Sequence, residues 1–150
     1  MTAISARQAT LADIDQVAEL FNQYRQFYQQ AADIAACRDF IKQRLTNDEA
    51  TIFVVLQNER LVGFTQLYNS FCSVELKPLV YLYDLFVIES ARKMGVAKML
   101  MECARLYGLS RNACRLSLMT AITNTAGQAL YQQLGYLRDT NFYSYDLELN

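Results

Sequence analysis

The run Leu79-Val80-Tyr81-Leu82-Tyr83-Asp84-Leu85-Phe86-Val87-Ile88 limits the possible folds most strongly. It is the most apolar stretch of the chain, and Asp84 alone interrupts it. No apolar run reaches the roughly 18 residues a membrane-spanning helix needs. A segment this short and this rich in β-branched and aromatic residues is predicted to be a central strand with both faces covered. Covering both faces of a strand takes packed helices, and the flanking sequence supplies them.

Ala3 to Ala9 read as a short strand. Thr10 is predicted to cap a helix over Leu11 to Tyr28, with Asp13 as its capping-box partner. Along that helix Ile14, Val17, Ala18, Phe21, Tyr24, Arg25 and Tyr28 recur at helical spacing. Asp33 caps a second helix carrying Ile34, Cys37, Ile41 and Leu45. Thr51 to Leu56 and Leu61 to Phe71 form a hairpin around the turn Gln57-Asn58-Glu59-Arg60. After the central strand come a helix over Ala91 to Leu109, a strand over Cys114 to Thr120, and a helix from Asn124 to Leu134 ended by Gly135. In the tail Tyr143, Tyr145, Leu147 and Leu149 alternate as a half-buried strand would. The predicted order is β-α-α-β-β-β-α-β-α-β-β: an α/β protein, one mixed sheet flanked by helices, a single domain over residues 1–150.

Composition excludes several functions. The formal net charge is -1, too little for broad electrostatic capture of nucleic acid. A polycation would need a local acidic pocket. Met1 to Asp13 lack a basic region followed by an apolar stretch, so no secretory signal is predicted and the cytoplasm is the expected location. Cys37, Cys72, Cys103 and Cys114 form no CxxC pair and read as reduced, mostly buried thiols. The chain has no histidine. That removes Ser-His and Cys-His nucleophile systems and the usual zinc ligand sets, so no metal is expected. Acid–base chemistry falls to carboxylates, tyrosines, thiols, water or backbone groups.

Beyond the apolar run the chain reads Glu89-Ser90-Ala91-Arg92-Lys93-Met94-Gly95-Val96-Ala97. A strand running into a helix start is a ready phosphate site, because N–H groups of a first helical turn lack partners and carry partial positive charge. Gly95 admits close approach to the backbone, and Ala97 keeps the next position small. Arg92 and Lys93 sit where the helix dipole disfavours cations, which an anionic ligand would explain. The plainer alternative is an ordinary helix start with a surface basic pair and a packing glycine.

Strand, Arg-x-x-Gly-x-Ala, amphipathic helix, strand, then a helix carrying Asn124 and Tyr131 resembles the GCN5-related N-acetyltransferase (GNAT) superfamily. Arg92, Gly95 and Ala97 match its Gln/Arg-x-x-Gly-x-Gly/Ala pattern, and the element order matches from Ala3 to Leu149. The resemblance implies a GNAT-like fold, acetyl-CoA as co-substrate and an amine acceptor. It implies a pyrophosphate cradle from Arg92 and the backbone of Lys93, Met94, Gly95, Val96 and Ala97. It pairs the backbone of Leu85, Phe86 and Val87 with the pantetheine. It gives Asn124 to the cofactor's amide arm and Tyr131 to the thioester sulfur, as the acid that protonates it on leaving. A phenol suits that role, being neutral at pH 7 yet able to donate. Asn124 as a helix cap and Tyr131 as packing are the structural alternatives.

A base must accept the amine's proton. Asp84, costly in an apolar strand, is either that base or a structural carboxylate held by backbone or an arginine. Many relatives carry Glu one residue earlier, where this chain has Tyr83. That leaves Tyr83, or a water held by Asp84 or Glu75. The stretches Tyr24-Arg25-Gln26-Phe27-Tyr28 and Gly63-Phe64-Thr65-Gln66-Leu67-Tyr68 resemble a bacterial subgroup loosely similar to diamine and histone-type acetyltransferases. The resemblance places Tyr24, Tyr28, Gln66, Tyr68 and Tyr83 at the acceptor. Phe27 and Phe64 read as core or dimer packing, and Cys72 as a bland thiol with no basic partner nearby in sequence. Three functions stay open: a small-molecule amine N-acetyltransferase, a peptide or protein N-acetyltransferase, and a non-catalytic CoA-binding module. The aromatic tail suggests a homodimer.

Overall fold

A computed structural model of the chain describes residues 3–149, in one unit up to Leu118 and another from Met119. The first unit contains β1 (Ile4–Gln8), α1 (Ile14–Phe27), α2 (Ile34–Thr46), β2 (Thr51–Gln57), β3 (Arg60–Cys72), β4 (Lys77–Val87), α3 (Val96–Ser110) and β5 (Leu116–Ser117); the second contains α4 (Thr125–Gln133). The strands form one sheet in the order β1-β2-β3-β4-β5. Pairing is antiparallel up to β4 and parallel between β4 and β5. This is the mixed α/β architecture read from the sequence, matching its order from β1 to α4.

Local chemistry explains most boundaries. Thr10 and Asp13 form the capping box, and Asp13 also takes both guanidinium nitrogens of Arg7 at 2.7 and 2.8 Å. The Asp33 side chain accepts from the Ala36 N–H at 3.0 Å. Asn58 and Glu59 both have positive φ, 49° and 65°, as a two-residue turn matched to the twist of β2 and β3 requires.

The sheet is covered on both faces. One cluster joins Val17, Leu20 and Ile41 from the first two helices to Ile52, Val54, Phe64 and Phe86. The other joins Val96 and Leu100 of α3 to Val55 and Val62. Val55 faces Gly63 and Leu56 faces Leu61, so Val62 is surplus, a bulge. It lets Leu61 and Phe64, three positions apart, both enter the first cluster. Gly63 sits under α3, where a Cβ would lie 3.0 Å from Val96 Cγ1.

Four expectations change. The central strand is not covered along both faces, since Tyr81 and Tyr83 are exposed; their hydroxyls let an apolar run tolerate water. The helix expected from Ala91 begins at Val96, after a 3-10 turn over Glu89–Ala91. The strand expected over Cys114 to Thr120 shrinks to Leu116–Ser117, because β5 pairs only with Val80 and Tyr81. The two last strands are absent among the described residues. Phe142, Tyr143, Tyr145, Leu147 and Leu149 are exposed, and alternation without a partner ladder makes no sheet.

In the second unit Asn124 caps α4 and Gly135, at φ 88°, ends it. Tyr136 N–H donates to the Tyr131 carbonyl at 2.9 Å and Gly135 N–H to Gln132 at 3.1 Å, a paired closure of the last turn.

Candidate active site

Asp84 is buried at 6% exposure, and its partners are neutral. Gln66 Nε2 donates to its Oδ2 at 2.8 Å, and the Tyr24 hydroxyl makes a second hydrogen bond to the carboxylate. Among the described residues neither backbone nor arginine holds it, as the structural alternative supposed. Burial pushes its pKa up, and the two hydrogen bonds oppose that only in part. Thr65 Oγ1 ties down the Asp84 carbonyl at 2.8 Å. Gln66 is fully buried, and its Oε1 has no hydrogen-bond partner among the described residues.

A bulge sets this geometry. Gln66 faces Asp84 and Leu67 faces Leu82, which leaves Tyr83 surplus on β4. Burial alternates through it: Tyr81 and Tyr83 turn out, while Leu82, Asp84 and Phe86 turn in. Tyr83 lies edge-on to Tyr68 at 5.3 Å between centroids. Burial first, and then the Asp84 charge, push the Tyr68 phenol up to about 12, so it remains a proton-bearing hydroxyl. Tyr28 packs edge-on to Tyr24 at 5.1 Å. Tyr24, Gln66, Tyr68, Tyr83 and Asp84 thus form one patch, with Tyr28 at its margin. Phe64 is core as expected, but Phe27 is 54% exposed and is not. Glu75 lies in the turn at the other end of β4, roughly 20 Å from Asp84 along the strand, and leaves the list of bases.

At the C-terminal end of β4 the chain makes a tight turn through Arg92, Lys93, Met94 and Gly95. Lys93 and Gly95 both have positive φ, 62° and 83°. A Cβ on Gly95 would meet nothing within 4 Å, so the glycine answers to backbone conformation and not to packing. The first α3 hydrogen bond runs from Met99 N–H to the Gly95 carbonyl at 3.0 Å. The N–H groups of Val96, Ala97 and Lys98 precede that ladder. Arg92 Nε donates to the Val87 carbonyl at 3.1 Å, which fixes the guanidinium over the strand end. From Leu82 to Val87 the only paired neighbour of β4 among the described residues is β3. No strand pairs with the opposite edge of Leu85, Phe86 and Val87 among the described residues, and the Val87 carbonyl takes the Arg92 hydrogen bond. The Phe86 side chain itself belongs to the core.

In the second unit, Asn124 Oδ1 accepts from Gly127 N–H at 3.2 Å and Nδ2 donates to Thr120 Oγ1 at 3.1 Å. The capping alternative is therefore realised. A Cβ on Gly127 would stand 2.5 Å from Asn124 Nδ2, so the close neighbour this glycine serves is Asn124 itself. Tyr131 is half-buried, its ring 6.0 Å from that of Tyr136. Burial, and then Tyr131, raise the Tyr136 phenol above its ordinary value. Sequence reading missed Tyr136, because its pairing depends on the helix-ending turn at Gly135.

Cys72 has a basic partner after all. Arg115, distant in sequence, donates to its Sγ at 3.7 Å. A hydrogen bond from the Glu75 backbone, and then Arg115, hold the thiol below the usual range. It lies at the far end of β4 from Asp84 and takes no part in that patch. Of the four cysteines only Cys37 is buried.

The chain matches the acetyltransferase (GNAT) family over residues 14–136. It is 41% identical over 146 residues to the uncharacterized N-acetyltransferase YhfO of Bacillus subtilis, covering 97% of this chain and 98% of that one. The crystal structure of a probable acetyltransferase superimposes with a TM-score of 0.92 at 35% identity, over 97% of this chain and 98% of the other. The aminoglycoside N-acetyltransferase AAC(6')-Iy in complex with CoA shares the fold, with a TM-score of 0.84 at 20% identity over 99% and 97% of the two chains.

Proposed function

The chain belongs to the acetyltransferase (GNAT) family, and from that premise we propose that it moves an acetyl group from acetyl-CoA to a primary amine of a small molecule, by direct attack in a ternary complex. The observation that carries this reading is the turn at the end of β4. Positive φ at Lys93 and Gly95, open space over Gly95 and an unpaired β4 edge beside it fit a diphosphate followed by an amide-bearing arm. In this reading Arg92 and the N–H groups of Lys93, Met94, Gly95, Val96 and Ala97 hold the phosphates, and the backbone of Leu85, Phe86 and Val87 holds the arm. Asn124 adds a contact to that arm through its second amide hydrogen. Acetyl-CoA supplies an activated thioester.

The acceptor lies against Tyr24, Tyr28, Gln66, Tyr68 and Tyr83. Gln66 Oε1, buried without a partner among the described residues, offers an acceptor for a hydrogen of the amine. Asp84 accepts the amine's proton, directly or through a water, and its raised pKa makes it a stronger base than an exposed carboxylate. Tyr131 Oη donates the proton that the departing sulfur takes. A small-molecule acceptor is favoured by the aminoglycoside enzyme of the same fold. The exposed aromatic tail supports a homodimer, and four unpaired cysteines support a cytoplasmic location. We take residues 1–150 as one functional domain.

Thiol release from acetyl-CoA, measured against polyamines, amino acids, aminoglycosides and peptides, tests the reading. Amine-dependent release with at least one small molecule is the expected result. Release with peptides alone would transfer the activity to protein acetylation.

A further inference from the structure

The end of the sheet remote from Asp84 carries a second cluster. Cys72 closes β3, Glu75 lies in the turn that follows, and Cys114 precedes β5. The two Sγ atoms and a Glu75 carboxylate oxygen all lie within 4.8 Å of one another. They converge on one point, and a cation already occupies it. Arg115 Nη1 donates to Glu75 Oε1 at 3.1 Å and to each Sγ at 3.7 Å. The Arg115 side chain is 50% exposed, so leaving that position costs it little.

Sheet geometry decides what joins these thiols. Cys72 pairs with Lys77, and the Cys114 N–H donates to the Pro78 carbonyl at 2.8 Å. The strand β4 therefore runs between the two cysteines. Two strand spacings separate their backbones by roughly 9–10 Å, beyond the roughly 7 Å that a disulfide bridges without backbone movement. A metal ion reaches further: thiolates bound at about 2.3 Å in tetrahedral geometry stand about 3.8 Å apart. Two thiolates with one carboxylate suit a borderline-soft divalent ion and not calcium or magnesium.

We propose that Cys72, Cys114 and Glu75 form a three-ligand site for a divalent cation of the zinc class, which replaces the Arg115 guanidinium and completes its shell with water. The ion ties the β3–β4 turn to the start of β5, next to the β4–β5 pairing at Val80 and Tyr81. A chain without histidine lacks the mixed cysteine–histidine zinc sets, and this set needs no histidine. The site is independent of the acetyl-transfer reading.

Titration of the reduced protein with Co2+, followed by Zn2+, tests the proposal. The expected result is one cobalt per chain with sulfur-to-cobalt charge-transfer absorption, abolished as zinc displaces cobalt. Zinc should also raise the melting temperature. Cys72→Ser and Cys114→Ser should each remove the absorption, while Cys103→Ser keeps it. Arg115→Gln should bind several-fold more tightly, because the competing cation is gone. Circular dichroism confirms that each variant is folded, and failure of one cysteine variant to fold leaves the other as the test. Absence of cobalt absorption in the wild type, its survival in both folded cysteine variants, or a Cys72–Cys114 disulfide forming under mild oxidation in place of metal binding would each overturn the proposal.

Discussion

Asp84 occupies the least accommodating position in β4, and what surrounds it is neutral. Gln66 and Tyr24 hydrogen-bond the carboxylate without supplying a counter-charge, so burial outweighs them and the folded protein holds the proton more tightly than the unfolded chain. Stability from this group is therefore fully present below the unfolded value of about 3.9 and is lost as pH rises through the folded value. Asp84→Asn, which cannot ionise, should gain melting temperature relative to wild type as pH rises from acid to neutral, a trend thermal scans across pH would reveal. The same variant should lose the acidic limb of the kcat/KM profile; a retained limb would remove Asp84 as the base. Tyr131→Phe should keep thermal stabilisation by acetyl-CoA while kcat falls by about 10²–10⁴. Unchanged turnover would take Tyr131 out of the mechanism.

Elements are held in place by their ends. Gly95 is the hinge between β4 and α3, and its φ of 83° suits no other residue without strain. Gly95→Ala has space for its methyl and so isolates the conformational cost, about 1–2 kcal/mol. It should also weaken acetyl-CoA binding, read as a smaller melting shift at equal ligand concentration. Gly127→Ala tests the opposite case. There the backbone is helical, but the methyl collides with the Asn124 side chain, so the α4 cap should fail at a cost of about 1 kcal/mol in denaturant unfolding. The Asp13 cap is charged. Its carboxylate sits below the ordinary value because Arg7 and the Thr10 backbone bond to it. Stability from Asp13 is thus present above about pH 3.9 and lost as pH falls through the lower folded value. Asp13→Asn should lower the melting temperature near neutrality and approach wild type in strong acid.

At the scale of the whole molecule, two apolar clusters press on opposite faces of one sheet, with Phe64 fully buried in one of them. Phe64→Ala should cost about 3–5 kcal/mol of unfolding free energy. Assembly belongs to this scale as well. Phe142, Tyr143 and Tyr145 of the tail are exposed, and on the homodimer reading a second copy covers them, so light scattering at micromolar concentration should report a dimer. Deleting residues after Asp139 should then give monomers. A wild type already monomeric at that concentration would reject the homodimer.

Much of this was legible without a structure, because it depends on neighbours in the chain. The helix caps, the hairpin turn, the apolar central strand and the Gly95 turn follow from local sterics and hydrogen bonding, and the Gly95 turn with Asn124, Tyr131 and the element order carried the family resemblance. Other features were decided only by folding. The Tyr83 bulge that sets Gln66 opposite Asp84 is a mismatch of register between two strands, and register is a property of pairing. The short β5 ends with its pairing to Val80 and Tyr81 and not where the sequence loses β-propensity. Arg115 meets Cys72, Glu75 and Cys114 only because β3, β4 and β5 lie side by side. The tail alternates as a strand should, but a strand exists only with a partner. Periodicity fixes which faces are apolar; it takes the packed chain to decide which polar groups those faces bring together.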